Sequence, residues 1–168
     1  MKKVTSDQRG SSLIEVLAAS AILCVITIVA GSFFFSNLLS FKTANTSITL
    51  EREGRTALNA ITDTIRENAK VNTPTPIGPL NDGFYPVDLL EFYNGTKLEV
   101  YGNELQLITV SGGTTVTTVL SRTLKTLQVG SIPTADFASC KGLRIKLTLS
   151  QDSKEINIES EAYFRNTR

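Results

Sequence analysis

The sequence has no histidine, no tryptophan and only two cysteines in 168 residues. Without histidine, the commonest general base and the commonest zinc ligand are gone. Ser11, Ser12 and Ser20 have no histidine or lysine arranged to activate them. Asn81, Asp82 and Asp88 sit together in a loop and are candidates for calcium, but they lack the spacing of an EF-hand. These gaps speak against an enzyme, and no cofactor or metal is expected. A net charge of +1 and the missing tryptophan leave no basic, aromatic stripe of the kind that reads nucleic acid. Cys24 lies in an apolar run and Cys140 in a distant polar region, so the two are not expected to form a disulfide.

Charge is also missing over one long stretch, with no charged residue from Val16 to Phe41. As a helix, Val16 to Phe35 alone would span roughly 30 Å, the thickness of a bilayer core. Ahead of it, Lys2, Lys3 and Arg9 outnumber Asp7. Positive flanks stay on the cytoplasmic side, so the remainder is expected outside. A secretory signal peptide has the same general plan. Here the apolar run is too long, no A-x-A site closes it, and Glu15 stands at its start. A plain signal anchor has no use for that carboxylate either, because a charge at the edge of lipid is costly.

Proline is missing between Gly10 and Val71, so nothing of that kind breaks a helix there. From Ser36 to Val71 the pattern turns amphipathic. Leu58, Ile61 and Ile65 recur at helical spacing, flanked by Ala57 and Ala69, among eight charged residues from Glu51 to Lys70. One helix over 11–71 is expected, with its membrane part at about 13–36. Gly31 and Gly54 are possible weak points. Asn72-Thr73-Pro74 ends the helix, and a loop rich in proline and glycine follows.

After Pro86 the texture becomes that of strands. Asn94-Gly95 and Gly102-Asn103 are hairpin signals between short apolar runs. Leu143 to Leu149 and Ile156 to Tyr163 alternate apolar and polar residues, which gives one buried and one wet face. The expected fold class is therefore α+β. A long N-terminal helix, half in lipid and half amphipathic, packs against an antiparallel β-sheet head over 72–168. The stripe of Leu58, Ile61 and Ile65 is the natural cover for that sheet.

The stretch Arg9-Gly10-Ser11-Ser12-Leu13-Ile14-Glu15-Val16-Leu17 resembles the class III signal of type IV prepilins and type II secretion pseudopilins. That family carries a basic leader, a glycine, a glutamate at fixed offset and a long apolar helix. The resemblance implies that a prepilin peptidase cuts after Gly10, removing 1–10 as a leader, and methylates Ser11. It implies that Glu15 serves subunit assembly. Ser11 departs from the phenylalanine usual there. The absent helix proline and C-terminal disulfide loop depart from the major pilins, which points towards minor pilins or minor pseudopilins. The strand spacing and the ending Tyr163-Phe164-Arg165-Asn166 look most like the J-type pseudopilins.

On this reading Glu15 pairs with the new ammonium of a neighbouring subunit, offset along a bundle of helices. Such a pair adds little net stability but sets axial register. The implied partners are other pilin or pseudopilin subunits, the peptidase and the membrane. The implied location is the plasma membrane, single-pass, with the head outside the cytoplasm. A tip adhesin, a DNA-binding minor pilin and a major pilin subunit remain as alternatives. Cys140 reads as a half-buried structural cysteine rather than a reactive thiol.

Overall fold

The computed structural model describes residues 8–72, 74–133 and 136–165, with side chains of the first helix from Leu13 onward. Helix α1 runs Gln8–Glu67, 60 residues without a break. Eight strands follow: β1 Tyr85–Pro86, β2 Leu89–Glu91, β3 Lys97–Tyr101, β4 Glu104–Ser111, β5 Thr114–Ser121, β6 Leu124–Ile132, β7 Gly142–Gln151 and β8 Lys154–Tyr163. The fold is α+β, as the periodicities imply.

The chain divides into two compact units, residues 1–44 and 45–168. In the first, every described side chain from Leu13 to Ala44 is exposed. Phe33, Phe34 and Phe35 are each about two-thirds exposed. The helix of a globular core hides such residues, whereas this segment hides none of its described side chains. It is long enough and apolar enough to cross a membrane.

In the second unit the burial pattern of the helix reverses. Leu50, Ala57, Ile61 and Ile65 are wholly buried, and Leu58 nearly so. These positions share one face of the helix, the stripe expected from the sequence extended two turns back to Leu50. The helix stops at Glu67, four residues short of Val71. Asn68 turns the chain there: its side-chain amide donates to the Thr64 carbonyl at 2.7 Å, and its backbone N–H reaches the Ile65 carbonyl at 3.2 Å. Val71 is already bridged to Phe92 in the strand region. Ala69, expected on the apolar face, is therefore exposed.

The strands form two antiparallel sheets of four, where one sheet was expected. One has the order β1-β6-β7-β8 and the other β2-β3-β4-β5. Hairpins link β2 through β5 in sequence, and β7 to β8. Between β5 and β6 the chain leaves one sheet and enters the other at Arg122-Thr123. Alternation explains the inward faces. Leu143, Ile145, Leu147 and Leu149 of β7 are buried, as are Leu127 and Val129 of β6. Leu90, Leu98 and Leu105 of the second sheet join them and the helix residues in one core. The tight turn at the tip of β7–β8 holds Asp152 and Ser153 at positive φ, 49° and 64°, the backbone a two-residue turn demands.

Candidate functional site

Gly10 and Ser11 lie on the first turn of α1, and Glu15 is exposed one turn later. The rest of the proposed leader, residues 1–7, lies outside the described residues. Glycine is the weakest helix former after proline, by about 1 kcal/mol against alanine, so Gly10 weakens the first turn of this helix. Glu15 opens the segment in which every side chain to Phe41 is exposed and uncharged. A carboxylate at the border of such a surface costs free energy unless an opposite charge reaches it.

Within the second unit a different carboxylate gathers three hydrogen-bond donors from a distant part of the chain. Glu53 Oε1 accepts hydrogen bonds from Ser121 Oγ at 2.7 Å, from the Arg122 backbone N–H at 2.7 Å and from Thr123 Oγ1 at 3.1 Å. All three donors belong to the crossing between β5 and β6. The Thr123 backbone N–H closes the group by donating to Ser121 Oγ at 3.2 Å. Burial pushes the Glu53 carboxyl up, but the hydrogen bonds from Ser121, Arg122 and Thr123 outweigh it and hold the group below its ordinary value. One turn of helix is thereby clasped to the point where the chain changes sheets.

Gly54, next to this clasp, is buried and is no weak point. A Cβ there would meet Ile158 Cδ1 and lie 2.6 Å from Leu149 Cδ1. The helix rests directly on β7 and β8 because this position has no side chain. Neither Glu53 nor Gly54 stands out in the sequence as a site. The signal was present in the spacing of Leu50, Gly54, Ala57, Leu58 and Ile61, which puts the glycine on the buried face.

The remaining candidates fall apart or turn out to be structural. Asp82 sits in a turn closed by reciprocal backbone bonds between Asn81 and Phe84, 2.9 and 2.8 Å, and both Asp82 and Asp88 are exposed. Among the described residues no group of three or more His, Cys, Asp or Glu side chains is placed to hold a metal ion. Cys140 is buried, its thiol directed at the Phe137 carbonyl 3.1 Å away, and burial pushes its pKa up. Both cysteines are free, with Cys24 exposed on the apolar helix.

Several basic residues of the sheets are held in specific contacts. Lys146 pairs with Glu159 at 2.8 Å across the neighbouring strands β7 and β8, and Lys125 of β6 pairs with Glu155 of β8 at 2.6 Å. Arg144 stacks over the Phe84 ring, 4.8 Å from its centre, and donates to the Gly83 carbonyl at 3.3 Å. Its Nε is buried without a partner among the described residues. These contacts fasten the 78–84 loop to the open face of β7. A search of protein-family models, of curated proteins and of solved structures finds no match to this chain.

Proposed function

We propose that this chain is a minor pilin or pseudopilin, a structural subunit that initiates or caps a type IV pilus-like filament. The observation that carries the reading is one helix with two surfaces. Directly after Arg9-Gly10 and Glu15 it exposes an uncharged apolar surface from Val16 to Phe41. From Leu50 onward the same helix is buried against sheets. A subunit that must sit in a bilayer and then join a bundle of like helices needs the first surface. A head that folds by itself needs the second.

On this proposal a prepilin peptidase removes residues 1–10 and methylates Ser11. The basic leader stays in the cytoplasm and the head lies outside it. Glu15 accepts the ammonium of a neighbouring subunit, and the pair selects axial register. The chain's own part is positional and involves no chemistry. N-terminal sequencing of protein purified from membranes tests the proposal. The expected first residue is Ser11; a chain that still begins at Met1, or one that begins beyond residue 30, overturns it.

A further inference from the structure

The four sheet edges differ in chemistry. β8 carries Lys154, Glu155, Glu159 and Glu161 along its edge, and β1 and β2 are only two and three residues long. The remaining edge is β5, eight residues with no charge and no proline. Its residues Thr114 to Val119 are exposed. Charge, proline and shortness are the means by which proteins keep strand edges from pairing, and β5 has none of them.

The direction of its free backbone groups follows from the turn before it. Gly112 and Gly113 have φ of 58° and 80°, a two-residue loop that makes Ser111 and Thr114 a hydrogen-bonded pair. Along the register, Val116 opposite Thr109 and Thr118 opposite Leu107 also turn their groups towards β4. The N–H and C=O groups of Thr115, Thr117 and Val119 therefore aim outward. The register shift near Leu105 falls beyond Val119 and leaves this stretch regular.

We propose that β5 pairs edge to edge with β5 of a second copy of this chain. Antiparallel pairing centred on Thr117 sets Thr115 of each copy opposite Val119 of the other and satisfies the outward groups on both. The occupant is a second copy because the edge is neutral. A charged strand would place ions beside threonine and valine with no counter-charge. Among the described strands of eight residues or more, β5 alone has no charged side chain. The contact is a closed two-fold one, joining two copies and stopping there. It is independent of the filament reading, which rests on the N-terminal helix.

Full-length protein carrying Cys24→Ala and Thr117→Cys, purified in detergent and mildly oxidised, tests the pairing. The expected result is a disulfide-linked dimer joined at the two substituted positions, mapped by mass spectrometry. Lys154→Cys, on the charged β8 edge, is expected to stay monomeric. Thr117→Pro removes one outward N–H and leaves the bonds to β4 intact. It is expected to lower co-purification of two differently tagged copies at least tenfold. Thr117→Lys, which leaves the backbone alone, is expected to do the same if the proline variant misfolds. A folded Thr117→Cys protein that stays monomeric overturns the proposal. So do equal dimers from Lys154→Cys, a disulfide to a different protein, and tagged pairs that survive Thr117→Lys.

Discussion

Glu53 on the helix and Ser121 at the end of β5 are joined by a 2.7 Å hydrogen bond across 68 positions of sequence. The same carboxylate oxygen holds Arg122 and Thr123, so one acidic side chain ties the helix to the crossing between sheets. A long-range contact of this kind forms only once both sheets and the helix are in place.

Acid is expected to weaken the head through this residue. The folded state holds the Glu53 carboxyl below its ordinary 4.5, so the stabilisation is present above that pH and is lost as pH falls through the lower folded value. Glu53→Gln keeps an acceptor but loses the charge. The expected cost at pH 7 is about 1 kcal/mol, discounted for the partly exposed site. The gap between variant and wild type should close as the pH falls from 4.5 through the lowered folded value. Urea melts of the head at several pH values read this; a constant gap would place the effect elsewhere.

The head, residues 45–168, is expected to fold without the apolar segment. Its helix stripe and both sheets share one core, and the division of the chain falls at 44/45. The fragment should melt cooperatively with mixed helix and sheet signals. A fragment that is disordered in dilute buffer would show that the core needs residues before Asn45.

Gly54→Ala separates two opposing effects. Helix propensity favours alanine by about 1 kcal/mol. The added methyl presses on Ile158 and on the fully buried Leu149, and overpacking costs about 1–3 kcal/mol. Net destabilisation is expected in thermal melts of the head. Gly31→Ala, with nothing within 4 Å of its new methyl, should leave the melt of the full-length protein in detergent unchanged, whereas Gly54→Ala should lower it there too. A more stable Gly54→Ala protein would mean that β7 and β8 yield freely.

Glu15→Ala is expected to spare insertion and cleavage but to impair incorporation into a filament. Insertion depends on the apolar run from Val16, and cleavage on Gly10 and its leader. A lost partner would leave an ammonium unpaired in apolar surroundings, a penalty of about 3–5 kcal/mol if buried. The measurement is recovery with partner pilins at equal membrane levels, against wild type and Glu15→Asp. Unchanged recovery would make Glu15 a bystander or this subunit a filament cap. Disappearance from membranes would assign the residue to insertion instead.

The elements of this protein were legible because they rest on local periodicity. The charge-free run, the stripe of Leu58, Ile61 and Ile65, and the alternation of β7 and β8 each announce their element within a few residues. The candidates Gly10, Ser11 and Glu15 come from a local motif in the same way. The helix end was missed by four residues because Asn68, a single side chain, decides it through its bond to Thr64.

The sequence by itself determined that the helix has an uncharged apolar half and an amphipathic half, and that the rest is antiparallel strand. Only the tertiary structure decided that the strands divide into two sheets, that Glu53 clasps their crossing, and that Gly54 is a seat for β7 and β8. The physical reason is range. Side-chain period along one element is written in neighbouring residues, whereas a shared edge, a carboxylate's donors and a methyl-sized gap depend on residues brought together from far along the chain.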